Sequence, residues 1–433
     1  MKILVVGSGG REHALVWRLR QSPEVEKIWC APGNGGTTGV DEKSAENVAE
    51  CASVNVDDVN SLVALAERLK PDLTVVGPEG PLVAGIRDKF ECRKMRLVGP
   101  SRRDARLEGS KIFAKEFMAR HSIPTARFTI CHSPDAAREA LDRDFILPVV
   151  VKADGLAAGK GVRIPADRRE FDEAINAMMV ERVFGDAGSA VVLEECLFGR
   201  EASLMIFTDG KDYQIIPPAQ DYKRVDDGDL GPNTGGMGSF STPALIDNAT
   251  LERITREIVE PTLEGIAGEG RPFRGVLYTG LMLTAEGPMA IEYNARLGDP
   301  ETQAVLMRLD SDLVEVFDAI LAGRIGSLPM KWSTDSSVCV VAASAGYPGK
   351  FEKGKPIAGL AEAAAVEGVV VFHSGTAFDE QGRFMTAGGR VIGVAARAAT
   401  LEQTCSRAYE AISRVSFDGM RYRRDIGGAG LSR

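Results

Sequence analysis

Two oxygen donors stand two residues apart in the stretch Pro288-Met289-Ala290-Ile291-Glu292-Tyr293-Asn294. Apolar Met289 and Ile291 predict a strand, and period-two alternation then puts Glu292 and Asn294 on one face of it. A carboxylate beside an amide is the hard-oxygen set that Mg²⁺ takes while bridging a protein to phosphates and keeping some of its water. Arg296 follows, a planar fork able to grip a carboxylate or phosphate bidentately. Gly298-Asp299-Pro300 is turn chemistry, so a plain edge strand and turn is the competing reading of the same residues.

Other residues carry the same kind of chemistry. Pro148 to Lys152 reads as a buried strand with one inward lysine, and Lys152 there needs an anionic partner. Ala153 to Gly161 contains Gly155, Gly159, Lys160 and Gly161 between two strands, the makings of a flap whose N–H groups and lysine close on phosphates. It is not a Walker loop, because Gly161 and a strand follow the lysine where Ser or Thr and a helix would be required. Val191 to Leu197 is a strand with an acidic end, Glu194 and Glu195. With Leu197 and Glu201 it forms either a linker that meets an adenine edge and a ribose hydroxyl, or a surface hairpin. Lys111 opens a helix behind Ser110 as N-cap, and Ile123-Pro124-Thr125 ends it.

At the N-terminus, Lys2 to Val6 predicts a strand running into Gly7-Ser8-Gly9-Gly10 and a helix that carries Ala14, Leu15, Trp17 and Leu19. A glycine turn at a helix N-terminus, with Arg11 beside it, suits an anion. The dinucleotide fingerprint is incomplete, since Glu12 stands where its last glycine would fall, so a lone phosphate is the better ligand. A second strand ends at Ala31 and leads to Pro32-Gly33-Asn34-Gly35-Gly36, with no acid for a ribose. A third strand, Leu73 to Val76, completes a doubly wound parallel pattern.

These elements must fit in 433 residues, too many for one core and enough for two to four domains of roughly 100–200 residues. Apolar content of 44% and charged content of 26% are those of an ordinary globular protein. A net charge of −9 with no Lys/Arg block argues against a nucleic-acid partner while leaving room for small phosphorylated ligands. No apolar run reaches membrane-spanning length, and the apolar start breaks into glycines with no cleavage-site pattern, so neither a membrane nor a signal peptide is expected. The seven cysteines are scattered and never paired as C-x-x-C, which reads as buried reduced thiols in a cytoplasmic protein. The four histidines lie far apart and read as structural or surface groups. After Leu328-Pro329 come short β-rich runs (Ser337 to Ala343, Gly368 to Phe372, Arg390 to Ala395), a helix from Leu401 to Val415, and a basic tail from Met420 to Asp425 that reads as solvated surface.

Taken together, Val151-Lys152-Ala153-Asp154-Gly155, the glycine flap, Glu194-Glu195 and Ile291 to Asn294 resemble the ATP-grasp ligases. Within them the chain resembles the phosphoribosylamine–glycine ligase (glycinamide ribonucleotide synthetase) family along its whole length. That match rests on GSGGREHAL from Gly7, GPEGPL from Gly77, LEGSK from Leu107, QDYKRV from Gln220, GDLGPNTGGMG from Gly228 and RLGDPETQA from Arg296.

The resemblance implies a multidomain α/β and α+β fold: a doubly wound N-terminal α/β domain (1–102), an ATP-grasp core (103–328, small lobe about 124–194) and a C-terminal α/β cap (329–433). It implies ATP-dependent joining of glycine to 5-phosphoribosylamine through a glycyl phosphate, with ATP as co-substrate and Mg²⁺ or Mn²⁺ as cofactor. Lys111, Lys152 and the Gly155 to Gly161 flap, Lys160 included, would meet ATP phosphates. Glu194, Glu195 and Leu197 would border adenine, and Glu201 the ribose. Glu292 and Asn294 would hold the metal. Arg296 would bind the glycine carboxylate or acyl phosphate, Asp221 and Lys223 would position the reacting groups, and Gly9, Gly10, Arg11 and Asn34 would take the phosphoribosyl end. A monofunctional, monomeric, cytoplasmic enzyme acting on small molecules, with no nucleic acid or membrane, is the expectation. The alternatives are another ATP-grasp enzyme on a purine intermediate (a carboxylase or formate-dependent transformylase) and, more remotely, a nucleotide-binding oxidoreductase or sensor. Gly80 and Tyr222 depart from the family pattern, where Ala and His are common; Tyr222 has no ring that titrates near neutrality.

Overall fold

The computed structural model describes residues 1–38, 49–157 and 161–431. Its N-terminal part runs β1 (Lys2–Gly7), α1 (Gly10–Leu19), β2 (Lys27–Pro32), β3 (Ala49–Cys51), α2 (Val59–Leu69), β4 (Leu73–Val76), α3 (Glu79–Val83), α4 (Ile86–Glu91) and β5 (Leu97–Val98). The strands form one parallel sheet in the order β3-β2-β1-β4-β5, the doubly wound arrangement the sequence predicts. Ile3, Leu4, Val5 and Val6 are fully buried because helices cover both faces of the sheet. Half-exposed β3 has too short a run to show alternation, and the sequence reading passes over it.

Two short helices, α5 (Arg106–Gly109) and α6 (Lys111–Arg120), lead into a small lobe; Ser110 caps α6 by accepting the Phe113 N–H at 3.1 Å. The lobe comprises β6 (Phe128–Cys131), α7 (Pro134–Asp144), β7 (Val149–Ala153), β8 (Val162–Arg163), α8 (Arg168–Ile175) and β9 (Val191–Glu195). Its antiparallel sheet, in the order β6-β9-β7-β8, closes over its own core of Val149, Val151, Phe171, Val191 and Leu193.

A larger part follows: β10 (Arg200–Thr208), β11 (Tyr213–Asp221), the hairpin β12 (Arg224–Asp226) with β13 (Leu230–Asn233), β14 (Gly238–Ser241), α9 (Asn248–Ile254), α10 (Glu260–Gly268), β15 (Gly275–Leu283), β16 (Pro288–Asn294), α11 (Glu301–Leu306) and α12 (Leu313–Ala322). After these come β17 (Ser336–Ala343), α13 (Leu360–Ala364), β18 (Val369–His373), the hairpin β19 (Thr376–Phe378) with β20 (Phe384–Thr386), β21 (Arg390–Ala398), α14 (Leu401–Arg414) and α15 (Gly428–Leu431). One eight-stranded sheet, in the order β16-β15-β10-β11-β14-β17-β21-β18, spans both groups. The C-terminal strands are therefore bonded into the core sheet through β14 and β17. Among the described residues no helix is long and apolar enough to cross a membrane.

Three expectations are corrected. Period-two alternation does not run through β16: Pro288, Ala290 and Tyr293 are buried while Met289 and Ile291 are not. A bulge causes this, since Leu281 faces Ala290 and Gly280 faces Glu292, leaving Ile291 extra. Glu292 and Asn294 lie beyond the bulge, opposite Gly280 and Tyr278, and still share a face. The cysteines are all free, but Cys51 and Cys92 are exposed and Cys196 half-exposed, so burial is not general. The basic tail is not simply solvated. Arg423 is 1% exposed, 2.8 Å from Asp229, with its guanidinium 4.7 Å from the Tyr222 ring centre, and the Tyr222 hydroxyl accepts the Gly427 N–H.

Histidines join the two ends of the chain. His13 in α1 accepts the His373 N–H at 2.8 Å, and burial pushes both imidazoles down, His373 to about 4, so they are neutral packing groups.

Candidate active site

Glu292 stands at the meeting point of three lysines. Lys223, just past the end of β11, places Nζ 3.5 Å from Glu292 and 3.3 Å from Glu201 at the start of β10. Lys111, first residue of α6, donates to the Gly155 carbonyl at 2.8 Å. Burial would push the Glu292 carboxyl up, but Lys223, then Lys152 and Lys111, outweigh it and hold it down at about 2. Asp221 goes the other way. Burial raises it, with Glu301, Glu201 and Glu292 adding to the effect against Lys223. The sequence reading missed Glu301 and Tyr278, both of which are hydrogen-bonded to the buried Ser203, Glu301 acting on Asp221 as well.

The lysine in β7 has the anionic partner it requires. Lys152 is 4% exposed, 2.9 Å from Glu194, and donates to the Ile291 carbonyl at 3.1 Å, which ties the small lobe to the residue before Glu292. A second buried lysine, Lys115, reaches Glu194 at 2.8 Å. Its signal in the sequence is helical spacing: Lys115 is four residues after Lys111 and so shares its face. Burial is the main cause that brings Lys115 down to about 8, with Glu194 opposing it. The Glu194 side chain is thus committed to two ammonium groups, and its backbone lies inside the ladder between β6 and β7. Glu195 and Leu197 continue into the segment that leaves this sheet for β10 in the larger one, so the stretch is a crossing between lobes and not a surface hairpin. Gly155 and Gly161 lie between β7 and β8, while Gly159 and Lys160 lie outside the described residues.

Arg296 is held by two carboxylates that sequence reasoning did not connect to it. Its Nη2 is 2.7 Å from Glu108 in α5 and its Nε 3.3 Å from Glu79 at the start of α3, while Nη2 also donates to Asn294 Oδ1 at 3.3 Å. Glu108 accepts the Ala295 N–H at 2.8 Å as well. Burial works against the arginine's charge, but Glu108 and Glu79 outweigh it and raise its pKa. The only signal in the sequence was that Glu79 and Glu108 sit in GPEGPL and LEGSK.

At the other end of the cleft, Glu12 fills the place of the missing glycine. Its Oε2 accepts the Gly9 N–H at 2.5 Å and its Oε1 lies 2.6 Å from Arg11 Nε, while Arg11 also donates to the Leu297 carbonyl. A side chain on Gly77 would put Cβ 1.8 Å from Glu12 Oε1, so this carboxylate needs the glycine beside it. Gly10 abuts Gln303 and Ser374 closely enough that a Cβ there would fall within 2.7 Å of each. Asn34 donates to the carbonyls of Ser8 and His373, both at 2.8 Å, and accepts the Gly36 N–H. Asp299 pairs with Arg390 of β21 at 2.8 Å and accepts Gln303 Nε2, so the C-terminal part walls this end.

Among the described residues no three His, Cys, Asp or Glu side chains converge as a metal cage. Glu292 and Asn294 offer only two protein side chains as oxygen donors. That set fits Mg²⁺ arriving with phosphates, which supply further ligands, and does not fit a dedicated structural ion.

Comparisons with known proteins agree with this architecture. Models of the phosphoribosylglycinamide synthetase N domain, ATP-grasp (A) domain and C domain match residues 1–108, 109–302 and 337–429. The chain is 47% identical over 428 residues to a phosphoribosylamine–glycine ligase of Caldanaerobacter subterraneus, covering 98% of this chain and 99% of that one. It is 45% identical over 433 residues to the Brucella melitensis ligase of the same name, covering 100% and 99%. The crystal structure of phosphoribosylamine–glycine ligase from Thermotoga maritima superimposes with a TM-score of 0.82 at 36% identity, over 98% of this chain and all of that one. A biotin carboxylase from Campylobacter jejuni, 14% identical with a TM-score of 0.75 over 100% of this chain and 95% of that one, shares the fold. The chain belongs to the phosphoribosylamine–glycine ligase family of ATP-grasp ligases.

Proposed function

We propose that the protein joins glycine to 5-phosphoribosylamine at the expense of ATP, giving glycinamide ribonucleotide, ADP and phosphate through a glycyl phosphate, as a step of de novo purine biosynthesis. The observation that carries this reading is the convergence of Lys111, Lys152 and Lys223 on Glu292, with Asn294 and Arg296 on the same strand and its extension. The lysines supply the positive charge that phosphoryl transfer needs, and no protein nucleophile is required because the amine substrate brings its own.

In this reading Lys111, Lys152 and the flap from Gly155 to Gly161, with Lys160, position the ATP phosphates. Glu195 and Leu197, with the end of the Glu194 strand, border the adenine, and Glu201 takes the ribose. Glu292 and Asn294 would hold Mg²⁺, or Mn²⁺ in its place, whose chemistry when bound is to neutralise charge on the phosphate oxygens. Arg296 orients the glycine carboxylate; Glu79 and Glu108 fix its fork in advance. Asp221 and Lys223 position the amine and the phosphoryl group. Gly9, Gly10, Arg11 and Asn34 form the phosphoribosyl end. Arg11 serves there through its place beside Glu12, since its guanidinium is already engaged.

The proposed domains are 1–102, 103–328 and 329–433, with a small lobe at about 124–194. A monomer in the cytoplasm, with no nucleic-acid or membrane partner, is in keeping with a net charge of −9.

The test is ADP release from Mg²⁺-ATP with glycine and phosphoribosylamine omitted in turn, the amine being made in situ from ribose 5-phosphate and ammonia. Release that requires both supports the ligase. Release that requires neither overturns it.

A further inference from the structure

Away from the cleft, Val83, Asp88, Arg102, Arg103 and Arg106 line an open groove of about 490 Å³ between the N-terminal part and α5. Three arginines and one aspartate line it, in a chain whose net charge is −9. Arg106 is set in place by stacking, its guanidinium 4.0 Å from the centre of the Phe113 ring, and Arg103 leans on Glu269 at 3.9 Å. Asp88 is partly occupied with the Arg102 backbone N–H, which it accepts at 2.9 Å. Among the described residues neither the Arg102 nor the Arg106 guanidinium has a carboxylate ion-pair partner. Exposed arginine forks along the wall of a concavity suit multidentate oxyanions. A single apolar lining residue, Val83, offers no hydrophobic centre for a docked protein.

The groove's walls also lead to the active site. Val83 ends α3, the helix that begins with Glu79, and Arg106 begins α5, the helix that carries Glu108. These are the two carboxylates that grip Arg296. The two helices touch directly, because a Cβ on Gly109 would lie 3.0 Å from Val83. A ligand that draws on Arg106 pulls on α5, which carries Glu108, and through the contact of Gly109 with Val83 on α3, which begins with Glu79.

We propose that this groove binds a small anion bearing two or three phosphates, and that its occupancy is transmitted through α3 and α5 to Arg296. Binding stands independently of the function proposed above; only the effect on catalysis rests on that reading of Arg296.

The probe is tripolyphosphate, titrated calorimetrically into metal-free protein, with GTP in a parallel arm. The wild type is compared with the double variant Arg102→Gln/Arg106→Gln and with Lys111→Met/Lys152→Met, which disarms the cleft. The expected result is saturable binding that persists in the lysine variant and weakens about tenfold or more in the arginine variant, a loss of about 1.4 kcal/mol or more. Equal affinity for GTP assigns recognition to the phosphates alone, and tighter GTP binding adds the nucleoside; both sustain the site. No saturable binding, or binding lost only in the lysine variant, overturns it. Transmission is read by hydrogen exchange in the lysine variant: tripolyphosphate should change exchange of the Ala295 amide, which is bonded to Glu108. Binding with no change at Ala295 overturns the coupling.

Discussion

Glu292 is balanced by lysines from three different elements, and this determines what its loss does. Glu292→Ala removes the charged metal donor and leaves Lys223, Lys152 and Lys111 without their shared counter-charge at a half-open site. Turnover should fall about a thousandfold, the scale seen when a key electrostatic group is deleted, with circular dichroism and melting little changed. Near-normal activity at saturating Mg²⁺ would remove Glu292 from the metal site. Arg296→Lys swaps a fork held by Glu79 and Glu108 for a point charge, so the KM for glycine should rise on the order of tenfold or more; an unchanged value would take Arg296 out of the glycine site. Glu292, Asn294 and Lys152 were legible because each breaks an apolar run, where a polar residue must have a reason. Glu79 and Glu108 were not, since the contact from Arg296 to Glu79 spans 217 residues and no local pattern encodes such a distance.

Helix α6 and strands β7 and β9 share one electrostatic problem, two buried lysines on a single carboxylate. Lys115 has a folded pKa of about 8, below its ordinary 10.5. The unfolded chain therefore holds more protons between those values, and this group's contribution to stability rises as pH climbs from about 8 to 10.5. Urea unfolding of the ligand-free protein at pH 7.5 and 9.5 should show that gain in wild type and lose it in Lys115→Met. The Lys152–Glu194 pair survives that substitution, so the variant should be no less stable at the lower pH. Glu194→Gln instead leaves two buried ammonium groups unmatched and should cost roughly 3–5 kcal/mol. An equal pH response in wild type and Lys115→Met would rule out Lys115 as the titrating group. Most elements could be read from apolar runs and caps, as with the Ser110 cap and the C-terminal strands. The bulge at Ile291 could not, because alternation alone does not reveal an extra residue.

Across the molecule, the sheet runs through the boundary between the core and the C-terminal cap. The sequence reading separates them after Leu328-Pro329, where composition changes, but hydrogen bonding between strands leaves no trace in composition. Gly238 to Ser241 pair with Val340 to Ser337, so a fragment ending at residue 328 would leave β14, interior in the whole sheet, as an open edge paired only with β11, with Phe240 uncovered. Such a fragment should be insoluble or oligomeric on size-exclusion chromatography. A soluble monomer with native-like circular dichroism would show that the two parts fold separately.

The Glu12 carboxylate, bonded to the Gly9 N–H, has a consequence for how quickly that end of the cleft can be used. Ordering a loop costs about 1–2 kcal/mol per residue, and here the cost is met at folding, by Glu12 on one loop and by Asn34 bridging Ser8 to His373 on the other. A ligand reaching these loops finds a finished surface. Its arrival is timed by diffusion and charge, without a wait for the chain to take shape around it.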